Sequence, residues 1–220
     1  MKTANRHFKR QLAATRRAGF SLIELLAVMM ILAILMTFLA FRLGNLGEDA
    51  KRSMTEQFLQ QVSIAIGSYE GETGDYPSSS WESEWGPTPN KTNLGSEVLC
   101  VQLWSPDYGG SGISEDQLGN SDEDEAKQNL TTHGNKDLFE LVDNWDNPIA
   151  YFHRKDYGRA DSYFTMDEKG EEGPSTVQAR MNPKTGSYFN PRSFQLISAG
   201  EDGVFDTDDD LFNFQAERGE

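Results

Sequence analysis

The feature that most constrains this chain is an unbroken apolar run, Gly19–Phe41, "GFSLIELLAVMMILAILMTFLAF", which carries one acid, Glu24. At about 1.5 Å per residue, residues 20–41 make roughly 33 Å of helix, the thickness of a bilayer core. A carboxylate at the middle of such a span costs about 2.5–3.5 kcal/mol on insertion scales. Glu24 is only four residues, about 6 Å of helix, past Phe20, so it sits near the helix end, where the penalty is smaller. Every charged residue before Gly19 is basic: Lys2, Arg6, Lys9, Arg10, Arg16 and Arg17. This places the leader on the cytoplasmic side and the bulk of the chain across the membrane, a single-pass topology. Cleavage after the run is not expected, because the exit "FLAFRLGNLG" lacks an ordinary small-residue signal site.

Beyond Gly19 the chain holds 14 basic residues against 35 acidic ones. A surface this acidic repels phosphate backbones and forgoes the counterion release that drives nucleic-acid binding, so no nucleic-acid partner is predicted. Cations are the expected small partners. The single cysteine, Cys100, excludes an intrachain disulfide and reads as a small buried hydrophobe. It leaves the redox compartment open.

The junction "RRAGFSLIELL" resembles the type III signal of type IV pilins and of the pseudopilins of type II secretion. The resemblance implies that prepilin peptidase cuts on the cytoplasmic side between Gly19 and Phe20, and that Phe20 becomes an N-methylated amino terminus. It also gives Glu24 a task. Within a bundle of such helices its carboxylate pairs with the positive amino terminus of a neighbouring subunit and fixes the register of assembly, since a charge left alone at low dielectric is costly. The alternative is a plain signal anchor whose glutamate snorkels to the interface.

From Glu48 to Tyr69 the apolar residues Ala50, Met54, Phe58, Val62, Ala65, Ile66 and Tyr69 recur at three- and four-residue spacing, which predicts a helix continuing beyond the membrane with one face in a core. Gly44 and Gly47 weaken it locally, and Gly71, Gly74 and Pro77 end it. "YEGETGDYPSS", Tyr69–Ser79, resembles the segment that closes the long helix in G-class pseudopilins. "EVLCVQLW" fits a short helix or a buried strand equally well. Trp81, Trp85 and Trp104 are candidates for satellite clusters. "SEDQLGNSDEDEA", with six acids between Glu115 and Glu125, reads as a solvated loop without assigned chemistry. Farther on, "DNWDNPIAYFH" resembles the Asp-Pro-Trp-Gly-Asn-Pro stretch of G-class pseudopilins at Asp143, Trp145, Asn147 and Pro148, with Asn144 and Asp146 in place of the proline and glycine. "IAYFH", "SYFTM" and "FQLIS" have the content of short antiparallel strands.

The predicted fold is α+β: a long N-terminal helix, transmembrane in its first half, on a small antiparallel sheet. The predicted organisation is a leader, 1–19, a membrane and filament-core helix, 20–41, a helical stalk, 42–77, and a periplasmic globular domain, 78–220. No enzyme is expected. His7, His133 and His153 are the only imidazoles, and no nucleophile, phosphate-cradling or zinc motif surrounds any candidate.

"LISAGEDGVFDTDDDLFNF", Leu196–Phe214, sets Asp202, Asp206, Asp208, Asp209 and Asp210 within nine residues, with Gly200 and Gly203 to curl the backbone. Calcium takes six to eight hard oxygens, whereas zinc prefers nitrogen or sulfur that this loop lacks. An EF-hand register from Asp206 fails because its glycine position is Leu211. The stretch resembles the C-terminal calcium loop of G-class pseudopilins, which implies Asp202, Asp209 and Asp210 as side-chain ligands, Asp208 as a further candidate, and Ala199 as a carbonyl donor. The family resemblance as a whole implies a structural subunit of a type II secretion pseudopilus. Such a subunit forms a helical homo-oligomer with minor pseudopilins on an inner-membrane assembly platform and drives protein export. A type IV pilus subunit and a monomeric membrane-anchored calcium-binding protein remain open readings.

Overall fold

The computed structural model describes residues 20–108, 112–167 and 169–215, so the leader and Gly19 lie outside the described residues. The chain divides into two units, 1–45 and 46–220. Helix α1, Leu22–Thr73, includes Gly44 and Gly47. In the first unit, Leu22–Leu39 is long and apolar enough to cross a membrane, with a mean hydropathy of 2.7 and none of it buried.

The second unit is α+β, as the composition of its segments predicts. The later turns of α1 bury Phe58, Leu59, Val62, Ala65 and Ile66 against Leu99, Leu103, Leu141, Tyr151 and Leu196. The buried face is rotated from the one expected at its start: Met54 is 50 % exposed and Ala50 is exposed, while Thr55 and Leu59 are fully buried. The reason is polar. The Thr55 hydroxyl accepts hydrogen bonds from the backbone and side-chain nitrogens of Asn144, which fixes that turn of α1 against the 143–147 turn. The helix stops at Thr73, and Gly74, at φ +90°, donates its N–H to the Glu70 carbonyl, a left-handed C-terminal stop that favours glycine. Gly71 lies inside the helix and does not end it.

"EVLCVQLW" resolves as helix α2, Leu94–Leu103, with every residue from Gly95 to Leu103 buried. A Cβ on Gly95 would lie 2.4 Å from the Tyr151 carbonyl oxygen and 2.6 Å from the Tyr163 hydroxyl, so glycine is what allows α2 to pack so closely.

Among the described residues seven strands follow, all paired antiparallel: β1 Leu118–Gly119, β2 Glu140–Leu141, β3 Ala150–His153, β4 Ala160–Met166, β5 Glu172–Gln178, β6 Phe194–Ser198 and β7 Leu211–Phe212. They form three small sheets, β1-β2, β3-β6-β7 and β4-β5. The three expected strand segments lie in β3, β4 and β6. Strand β5 was not evident because Gly173 and Pro174 interrupt its pattern, but β4 is its only partner, an edge position that tolerates proline. Trp81 and Trp85 join Val101, Ala126 and Leu138 in a satellite cluster, whereas Trp104 belongs to the main core.

Candidate functional site

In the first unit, the backbone N–H of Ser21 donates to Glu24 Oε2 at 2.8 Å. The carboxylate thus satisfies one of the amide groups left unpaired at a helix start. The side chains around it, Phe20, Leu22, Ile23, Leu25 and Leu26, are between 56 % and 81 % exposed, an all-round apolar surface with one acid near its tip. Such a surface is soluble only in lipid or against other helices.

In the second unit, the expected turn at 143–147 survives the replacement of proline and glycine. Asp143 is buried, its Oδ1 accepting from Trp145 N–H at 2.9 Å and Asn147 N–H at 3.0 Å, its Oδ2 from the Ser198 hydroxyl at 2.6 Å. Burial pushes its carboxyl up to about 6 despite those donors. Asp146 takes the left-handed conformation, φ +64°, which glycine adopts freely and aspartate tolerates better than most side chains. Trp145 Nε1 donates to Glu48 of α1, and the Asn147 amide pairs with the Met166 backbone at the end of β4.

The acidic loop leaves β6 and returns in β7. Ala199 is fully buried. Gly200, at φ +71°, faces Asp209 so closely that a Cβ would meet the Asp209 carbonyl and carboxylate oxygens at 2.6 Å. Asp202 N–H donates to Asp209 Oδ2 at 3.0 Å, and Asp202 Oδ1 accepts from Val204 N–H at 2.8 Å. Burial works against ionisation of Asp209, yet the Thr207 hydroxyl and the Asp202 amide hold its carboxyl below the usual range. Asp210 is buried, with Oδ2 accepting from Asp206 N–H and Oδ1 without a partner. Burial raises its carboxyl to about 7. Asp206 pairs with Arg180, and Asp208 is exposed.

The loop therefore brings Asp202 to Asp209 and buries Asp210. Among the described residues, however, the only three acids whose ligand atoms converge within 4.8 Å are Glu97, Asp122 and Asp124, in a different part of the domain. Asp122 and Asp124 belong to the stretch read as solvated, and both fold inward, whereas Glu123 and Glu125 face solvent. That alternation was the available signal, and it was masked by the density of acids.

An exposed apolar helix tipped by an acid, attached to a separate α+β unit, is the plan of a type IV pilin-like subunit. Residues 14–40 match the family model described as the prokaryotic N-terminal methylation motif, so the chain carries the type IV pilin and pseudopilin signature. No curated protein and no solved structure gives a match to the chain.

Proposed function

We propose that this chain is a structural subunit of a type II secretion pseudopilus of the G class. Prepilin peptidase removes residues 1–19, Phe20 is N-methylated, and the mature chain spans the inner membrane with its amino terminus cytoplasmic and its globular unit periplasmic. It then assembles through the N-terminal helix into a periplasmic homo-oligomeric filament, with minor pseudopilins, on an inner-membrane platform that drives protein export. The observation that carries the reading is the methylation motif over residues 14–40. The G class is supported by the resemblances at Tyr69–Ser79, Asp143–Pro148 and Leu196–Phe214, and by the inability of a single cysteine to staple a C-terminal loop.

Glu24 performs the recognition step. Among the described residues its carboxylate accepts the Ser21 N–H at 2.8 Å. In a bundle of apolar helices it is offered to the positive amino terminus of the neighbouring Phe20, and the low dielectric that punishes either charge alone rewards the pair at one register. Calcium in the 199–210 loop is part of the same proposal. Its supports are the hard-oxygen donor set, the unpartnered buried Asp210 Oδ1, and the glycine-lined approach of Gly200 to Asp209. Residues Asp202, Asp209 and Asp210, with Asp208 and the Ala199 carbonyl, would hold the ion and tie β6 to β7.

Glu24→Leu tests the assembly step. The variant should enter the membrane at least as readily as the natural chain, because the substitution removes the only charge in the span. In-cell cross-linking should show its ordered multimers reduced. Multimers at natural levels would remove the register role.

A further inference from the structure

Helix α2, the loop after β1 and strand β2 bring four carboxylates into one buried cluster. Glu97, in the first turn of α2, is 0 % exposed, and neither of its carboxylate oxygens has a hydrogen-bond partner. Asp122 Oδ1 and Asp124 Oδ1 are likewise buried and unpartnered, and the ligand atoms of these three acids lie within 4.8 Å of one another.

Glu140 at the start of β2 is an independent observation pointing the same way. It is 0 % exposed and leaves Oε2 without a partner, and its Oε1 is tied to Ser121, the residue next to Asp122. No ion pair among the described residues involves any of the four.

The remaining oxygens are held by neutral donors that orient the carboxylates without neutralising them. Asn90 Nδ2 donates to Asp122 Oδ2 at 2.8 Å and to Asp124 Oδ2 at 2.9 Å. Glu140 Oε1 accepts from Ser121 N–H at 2.6 Å, from the Ser121 hydroxyl, and from Asn93 Nδ2 at 3.1 Å. Asn93 is itself fixed by accepting Phe164 N–H at 2.8 Å. Each aspartate and Glu140 thus has one oxygen tethered and one presented, and Glu97 presents both, the arrangement of metal ligands held by an outer layer of hydrogen bonds.

We propose that Glu97, Asp122, Asp124 and Glu140 form a calcium-binding site, separate from the 199–210 loop, that ties α2 to the β1-β2 sheet. Glu97, Asp122 and Asp124 supply four unpartnered oxygens toward the six to eight that calcium takes, and oxygens on opposite sides of a calcium ion stand about 4.6–5.2 Å apart, which accommodates the 4.8 Å spread of the ligand atoms of these three acids. Magnesium, at about 2.0–2.1 Å, demands a tighter set, and no imidazole or thiolate joins the group to favour zinc. Asp122 and Asp124 are only half-buried and give the ion its route in.

Equilibrium dialysis of the detergent-solubilised full chain against labelled calcium tests the site. The background is Asp202→Ala with Asp210→Ala, so that the C-terminal loop contributes nothing. This parent should still bind one calcium per chain. Adding Glu97→Gln with Asp124→Asn should abolish that calcium, and an equal concentration of magnesium should not displace it. Exposed acids of the same loop provide the control, and Glu123→Gln should leave the count unchanged. The isosteric amides keep the size and shape of the buried carboxyls, so the variant should remain folded in chelator, as circular dichroism would report. A folded parent that binds no calcium, or a Glu97→Gln, Asp124→Asn chain that binds as much as its parent, would overturn the proposal. An Asp202→Ala, Asp210→Ala chain that binds as much calcium as the natural chain would count against the loop and not against this site.

Discussion

Residues whose task is local were the most legible. Asp143, Trp145 and Asn147 were picked out by the resemblance of their stretch, and it holds because a carboxylate that caps amides two and four residues ahead needs nothing from the rest of the chain. Gly74 is legible for the same reason, as the left-handed residue that closes α1. Glu97 was not, because its meaning depends on Asp122, Asp124 and Glu140 arriving from 25 to 43 positions away, and a lone glutamate within "GSEVLCVQLW" carries no sign of them. At this scale the acidic loop makes a direct prediction. An ion bound only by the folded state stabilises it by RT ln(1 + [Ca]/Kd), about 2.7 kcal/mol at a hundredfold excess over Kd. Asp202→Ala with Asp210→Ala should therefore lower the calcium count by one and shrink the gain in melting temperature between chelator and calcium. A count and a gain equal to those of the natural chain would leave the loop an acidic turn held by its own hydrogen bonds.

At the scale of elements, periodicity identified α1 and composition identified β3, β4 and β6, since each buries a continuous or alternating apolar face. It misplaced the first buried turn of α1 in the globular unit, because hydrophobicity favours Met54 over Thr55. The Asn144 amide reverses that preference by drawing the threonine hydroxyl inward. Two substitutions separate these faces. Leu59→Ala empties a fully buried position and should destabilise the domain by about 2–5 kcal/mol, whereas Met54→Ala, on the exposed side, should change stability by no more than about 0.5 kcal/mol. Denaturant unfolding of the solubilised chain followed by tryptophan fluorescence measures both. A larger loss at Met54 than at Leu59 would mean that the helix packs on the face first read from its spacing. Strand β5 escaped notice because an edge strand has little apolar pattern to display: of its seven residues only Val177 is buried.

For the whole molecule, the opposition of a basic leader, an apolar helix and an acidic domain says more than any single motif. Six leader cations precede and 34 acids follow a run that nothing in the first unit buries, so that helix must find lipid or its own kind. The methylation motif over residues 14–40 and the membrane-length apolar helix were readable because they are written in contiguous sequence. The acidic surface was read too simply as solvent-facing, since net charge does not tell which carboxylates fold inward. The central claim, that the chain is processed at the membrane and then assembles through its helix, is tested most directly by intact-mass spectrometry of the protein extracted from membranes of cells that contain prepilin peptidase. The account predicts a mature chain that begins at Phe20 and carries one added methyl group on its terminal amine. A chain that retains Met1, or one cut after the apolar run near Ala40, would contradict it.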